Sequence, residues 1–227
     1  MTHDQITLKD LALKIDHTLL HPIFHQSELQ KLCEEATFHG FKTVCVPPTW
    51  VKTAVSFLAD QAPLVITVVG FPLGYAEGRA KALETQIAIE SGAQEIDMVI
   101  NLSFVKNERW DDLAEDVIAV KRACGNLPLK AILETAYLND AEKIKASQIC
   151  EAAGANFIKT STGFASGVSI SGATLADIEL LRKNLKTSTK IKASGGIRDF
   201  PTAIAFLNAG ADRLGTSSGV QILKGIK

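Results

Sequence analysis

Short apolar runs alternate with longer stretches of helical period along the whole chain, and no linker rich in Pro, Ser or Gly interrupts them. The short runs predict eight strands, over Lys14–Thr18, Thr43–Val46, Leu64–Gly70, Glu95–Ile100, Leu129–Glu134, Phe157–Lys159, Lys190–Ala193 and Arg213–Thr216. Between them, Leu113, Val117, Val120 and Cys124 recur at i, i+4, i+7 and i+11, and Phe200, Ile204 and Leu207 form a second stripe of the same kind. A helix with one apolar stripe has to bury it, and in this order of elements a sheet face is the available surface.

The punctuation agrees with the pattern. Asn139 followed by Glu142, and Asp199 ahead of Pro201, mark helix starts. A short motif recurs where helices give way to strands: Gly40-Phe41-Lys42-Thr43, Gly92-Ala93-Gln94-Glu95, Gly154-Ala155-Asn156-Phe157 and Gly210-Ala211-Asp212-Arg213. Each glycine suits the left-handed residue that closes a helix. The chain is therefore a series of βα units. No G-x-G-x-x-G fingerprint follows the first strand, and eight near-evenly spaced strands favour closure over an open doubly wound sheet. The expected fold is a (β/α)8 barrel of the TIM type, with residues 1–227 as a single domain.

Composition narrows the function classes. With 227 residues, 46% hydrophobic and 22% charged, the chain can build a substantial core. A net charge of −1 gives no electrostatic case for nucleic acid or an anionic membrane. Met1-Thr2-His3-Asp4-Gln5 lacks the pattern of a secretory signal, and no apolar run is long enough to span a bilayer. Cys33, Cys45, Cys124 and Cys150 are widely spaced without a C-x-x-C pair, which argues against a disulfide framework or a zinc site and for a reducing cytoplasm.

In such barrels chemistry sits where strands end. The residues expected there are Asp16 and Thr18, Cys45, Gly70, Asp97 and Asn101, Glu134, Lys159 with Thr160-Ser161-Thr162-Gly163, Lys192 with Ser194-Gly195-Gly196, and Thr216-Ser217-Ser218-Gly219. Lys42, Gln94, Lys130 and Lys190 fall at or just before strand starts and are expected to be solvated or capping residues at the opposite mouth. A free lysine has a pKa of about 10.4, so only about one in two thousand is neutral at pH 7, and the neutral amine is the form that attacks a carbonyl. Bringing that pKa to roughly 7 takes about 4–5 kcal/mol against the cation, which a second ammonium and partial burial can supply. Asp97, in an otherwise apolar strand, would point into the barrel with Val99 and needs a cationic partner. Its two readings are a structural ion pair and a proton relay.

Other motifs carry less. The turns after the last two strands, Ser194-Gly195-Gly196 and Gly215-Thr216-Ser217-Ser218-Gly219, present backbone N–H groups in the loops that commonly hold phosphate in these barrels. Gly167 and Gly172 have P-loop spacing, but Ala173-Thr174 follows where Lys-Ser/Thr is required. His17, His21 and His25 are spaced at i, i+4 and i+8, yet Pro22 breaks any helix that would align them, so a loop setting is expected instead of a metal stripe. Cys45 is expected to be a small buried lining residue.

The chain resembles the deoxyribose-phosphate aldolase family over nearly its whole length. The resemblance rests on Ile15-Asp16-His17-Thr18-Leu19-Leu20, Val44-Cys45-Val46, Gly70-Phe71-Pro72-Leu73-Gly74, Glu95-Ile96-Asp97-Met98-Val99-Ile100-Asn101, Lys159-Thr160-Ser161-Thr162-Gly163, Lys192-Ala193-Ser194-Gly195-Gly196 and Gly215-Thr216-Ser217-Ser218-Gly219. The pattern of residues alone does not rank the two lysines. The resemblance implies that Lys159 forms a Schiff base, that Lys192 lowers its pKa and that Asp97 takes part in proton transfer. It also implies a substrate pocket lined by Asp16, Thr18 and Cys45, and a phosphate site at Gly163, Gly195, Gly196, Gly215 and Ser217 with Thr162 and Ser218 beside them. The implied activity is reversible cleavage of 2-deoxy-D-ribose 5-phosphate in deoxyribose phosphate catabolism, without metal or organic cofactor, by a homo-oligomer. The alternative is another class I aldolase or a transaldolase-type enzyme acting on a different sugar phosphate. Two departures stand out: the sequence closes on Gly225-Ile226-Lys227 where some members carry a tyrosine, and Phe164 stands where some carry a lysine.

Overall fold

The computed structural model describes residues 6–225. The expectations that concern Met1–Gln5 and the final Ile226-Lys227 lie outside the described residues. Eight parallel strands close into one barrel, each paired with its sequence neighbours and the last with the first. They are β1 (Ile15–Thr18), β2 (Thr43–Val46), β3 (Leu64–Val69), β4 (Glu95–Val99), β5 (Leu129–Ile132), β6 (Phe157–Lys159), β7 (Lys190–Ser194) and β8 (Arg213–Thr216). The expected (β/α)8 barrel is the observed fold, with strand ends moved by one or two residues. The largest difference is at β5, which stops at Ile132 because Glu134 takes a left-handed conformation, φ 51°, that no strand can continue through.

The helix signals behave as the sequence predicts. Asn139 and Glu142 form a reciprocal capping box at the start of the helix Asp140–Ala152, and the Asp199 side chain accepts from the Thr202 N–H. Gly40, Gly92, Gly154 and Gly210 all have positive φ. The stripe Leu113, Val117, Val120 and Cys124 is buried in the main apolar core, between the outer barrel face and the helices. Among the described residues, no helix is long and apolar enough to cross a membrane.

The barrel interior is divided. Outward residues such as Ile15, Val44, Ile96, Met98, Ile158 and Leu214 join the helix-covered core. The inward residues of β2 and β3, Cys45, Ile66 and Val68, form a small apolar cluster of their own. From β4 around to β1, by contrast, the inward positions carry Glu95, Asp97, Lys130, Lys159, Lys192, Arg213 and Asp16 among Val99, Ile132 and Phe157, all buried. Such barrels are usually filled with branched aliphatic layers. Here, over more than half its circumference, charged side chains make up most of the filling.

Candidate active site

Register sets the ionic cluster. Asp97 is aligned with Lys130 on β5, and Lys159 with Lys192 on β7, so the side chains meet across neighbouring strands. Asp97 is fully buried and receives three ammonium groups: Lys130 at 2.8 Å on one oxygen, and Lys159 at 2.9 Å and Lys192 at 2.7 Å on the other. Lys192 also reaches Asp16 at 2.5 Å, while Asp16 accepts from Arg213 and from Thr43. Glu95 joins Lys130 at 2.5 Å and Arg213 at 3.6 Å.

Lys130 corrects the sequence reading. It does not lie in solvent at the opposite mouth but is wholly buried between Glu95 and Asp97. It is the second residue of β5, close to the strand start, yet parity turns it inward and the strand stagger sets it level with Asp97. Lys42, Gln94 and Lys190 do sit at that end, half-buried or exposed. Glu95 and Arg213, which complete the network, carry no role in the sequence reading. The inward parity that pointed to Asp97 applies to them and to Lys130 equally.

The formal charges leave one base in excess. Asp16, Glu95 and Asp97 supply three negative charges against the four bases Lys130, Lys159, Lys192 and Arg213, and Lys159 reaches only Asp97, an oxygen it shares with Lys192. A buried region disfavours net charge. Burial pushes the Lys159 amine below its ordinary value, Asp97 opposes this, and Lys192 adds to the depression. Burial also works against the charge on Lys192, but Asp16 and then Asp97 outweigh it and hold this ammonium above its ordinary value. Burial would raise Asp97, yet Lys130, Lys159 and Lys192 drive its carboxyl well below the usual range. Burial and Lys192 therefore bias Lys159 toward the neutral amine, while the neighbouring charges hold Lys192 as the cation and Asp97 as the anion.

Lys159 lines a cleft of about 550 Å³ at the C-terminal mouth. The expected residues Thr18, Thr162, Gly195, Gly196, Gly215, Ser217 and Ser218 also line it. Asp16, Asp97 and Cys45 do not: all three are fully buried behind its floor. Cys45 belongs to the apolar cluster with Ile66 and Val68, and burial pushes its thiol up. Gly163 is exposed and adjoins Gly195. Two glycines are required here on steric grounds. A Cβ on Gly215 would come within 2.5 Å of Ser194 Oγ and 2.9 Å of Lys192 Cε. One on Gly195, at φ 84°, would come within 2.8 Å of the Gly172 Cα.

Neighbouring groups hold the loops. Glu134, whose carboxyl is raised by burial, accepts from the Thr162 hydroxyl and lies 3.3 Å from the Thr162 N–H, fixing the turn beyond Lys159. The sequence reading places Glu134 at this mouth but assigns it no task. Thr216 Oγ1 donates to Ile197 O at 2.7 Å and accepts from the Ser218 N–H at 2.9 Å, which ties together the two glycine and serine turns. The hydroxyl of Ser194, which lines the cleft, is buried without a hydrogen-bond partner. Phe164 also lines the cleft and packs edge to face on Phe71, centroids 5.3 Å apart. His17 lies in β1, as the predicted strand Lys14–Thr18 places it, and not in the loop setting expected for the three histidines; it is buried against Phe41, with Nε2 2.8 Å from Glu35. His21 and His25 are exposed beyond the strand.

Fold and site together define a (β/α)8 barrel enzyme that presents a buried lysine, its pKa lowered chiefly by burial, at the mouth of its sixth strand. The profile of the DeoC/LacD family aldolases matches residues 11–225. The chain is 48% identical to a deoxyribose-phosphate aldolase of Brevibacillus brevis, covering 94% of this chain and 95% of the relative. It is 45% identical to a deoxyribose-phosphate aldolase of Staphylococcus carnosus, covering 96% and 97%. The tetrameric deoxyribose phosphate aldolase from Aeropyrum pernix superposes with a TM-score of 0.85 at 32% identity, over 96% of this chain and 91% of that one. The chain belongs to the DeoC/LacD aldolase family.

Proposed function

We propose that the protein is a class I aldolase that reversibly cleaves 2-deoxy-D-ribose 5-phosphate to acetaldehyde and D-glyceraldehyde 3-phosphate through an imine on Lys159. The observation that carries this reading is the charge imbalance around Asp97, with Lys159 on the wall of the cleft. Neutral Lys159 Nζ attacks the aldehyde carbon of the open-chain sugar, and the carbinolamine loses water to form the imine. Removal of the proton from the C3 hydroxyl then breaks the C2–C3 bond. Glyceraldehyde 3-phosphate leaves, and the imine nitrogen accepts the electron pair as an enamine. Protonation at C2 and hydrolysis release acetaldehyde and restore the amine.

Asp97, hydrogen-bonded to both lysines, is the group in reach for moving protons at the carbinolamine, with Lys192 as the fixed cation beside it. Gly163, Gly195, Gly196, Gly215, Ser217 and Ser218 suit the phosphate through backbone N–H groups, and Arg198, which lines the same cleft, supplies a cation that Phe164 does not. On this reading the reaction belongs to deoxyribose phosphate catabolism in the cytoplasm, and the chain works as a homo-oligomer, as does the tetrameric relative.

Borohydride added with acetaldehyde is expected to leave an ethyl group on Lys159 in peptide maps. An ethyl group found only on Lys192 would reverse the assignment of the two lysines. Absence of any trapped imine in protein that still binds phosphate ligands would favour a non-catalytic sugar-phosphate-binding barrel.

A further inference from the structure

The end of the barrel opposite the cleft also carries a cavity, of about 500 Å³. Four adjacent strands each bring one base to it at or just before their first residue: Lys190 of β7, Arg213 of β8, Lys14 ahead of β1 and Lys42 ahead of β2. Its apolar side is formed by Ile6, Leu13 and Phe157, and the Lys190 ammonium lies 5.6 Å from the Phe157 ring centroid.

The carboxylates at this mouth do not neutralise the bases. Asp10 is engaged by Thr7 in a capping box and acts on Lys14 only through space. Asp212 accepts from the Ile191 N–H at 2.8 Å and lies 4.0 Å from Arg182. Arg213 is matched within the barrel by Asp16 and Glu95, yet its Nε is buried without a hydrogen-bond partner. Lys42 and Lys190 form no ion pair among the described residues. Two uncompensated ammonium groups flanking a buried guanidinium match the charge of one dianion, and a guanidinium with flanking lysines is the donor set that suits phosphate oxygens.

We propose that the N-terminal mouth of the barrel is a second anion site, separate from the catalytic cleft, that takes inorganic phosphate or a small phosphate monoester, with Lys42, Lys190 and Arg213 on the phosphate and Phe157 beside its organic part. The site does not depend on which aldehyde or sugar the cleft accepts.

The test is a titration of the intact 15N-labelled protein with inorganic phosphate. Amide signals of Lys42, Lys190 and Asp212 are expected to move along a saturating curve distinct from that of Gly196 and Ser217 at the other mouth. Reversing both exposed-end charges, Lys42→Glu with Lys190→Glu, is expected to weaken the first curve about tenfold or more and leave the second in place, since each reversal replaces an attraction by a repulsion. The single change Lys190→Gln, at an exposed side chain, gives the same readout at smaller size if the double variant does not fold. Bottom-mouth signals that stay still while the cleft saturates overturn the proposal. So does a response that persists unchanged in the charge-altered proteins.

Discussion

Two buried lysine and aspartate pairs in this molecule look alike and are opposite in consequence. Lys81 and Asp116, between the helices Gly78–Glu90 and Trp110–Cys124, meet at 2.7 Å; Lys159 and Asp97, inside the barrel, meet at 2.9 Å. Burial lowers both lysines. The carboxylates differ. Asp116 has a single cation and burial raises it, so that pair moves toward neutrality from both sides. Asp97 has three cations and stays ionised, so the whole adjustment falls on the amine. Lys81 also donates to Val99 O at 3.0 Å and is wholly buried, whereas Lys159 lines the cleft. A depressed buried lysine is therefore not a nucleophile by that fact alone. Carboxylate sharing and access make the difference.

Replacement separates the pairs most sharply. Lys159→Met is expected to lower turnover by about 10⁴-fold or more while the protein stays folded, because a methionine can form no imine. Lys81→Met leaves Asp116 buried and unpaired and is expected to cost about 3–5 kcal/mol in denaturant unfolding, with imine trapping on Lys159 retained in the folded fraction. Loss of trapping in folded Lys81→Met protein would erase the contrast drawn here.

A finer test changes the sharing itself. Lys130→Met removes one cation from Asp97, which then holds the Lys159 proton more tightly. The amine's pKa rises, so the acid limb of kcat/KM, where the free amine forms as pH increases, shifts to higher pH. A shift of about one unit lowers the rate below that limb roughly tenfold. Adding Glu95→Gln removes the matching negative charge, and the limb is expected to return toward its original position. Lys130 acts as a positioning residue, and a limb that stays put in both variants would make its role purely structural. The smallest effect concerns the rim: Phe164→Lys is expected to lower KM for the phosphorylated substrate by about two- to fivefold, the size of one solvent-exposed charge pair, with kcat nearly unchanged.

Parity explains where the sequence is legible. The strands show as apolar runs because their outward residues pack under helices, and the helix ends show because Asn139, Asp199 and the four closing glycines act within one turn of backbone. Asp97, Lys159 and Lys192 are conspicuous because they are charged residues within or ending such runs. Lys130 resembles its neighbours at strand starts, and its burial depends on the stagger between β4 and β5, which no local pattern encodes. Glu134 is similar: its hold on Thr162 spans two loops, and its left-handed backbone is invisible in residue type.

The sequence by itself determined the order of eight βα units and, through its motifs, the family to which the chain belongs. These depend on period, capping and short motifs, which act over a few residues. Only the tertiary structure decided how many cations share Asp97, and hence that the buried bases outnumber the buried carboxylates around it. That count requires Asp16, Glu95, Lys130, Lys192 and Arg213, up to 197 positions apart in the chain, to be brought into one dry volume, where an unmatched charge is disfavoured.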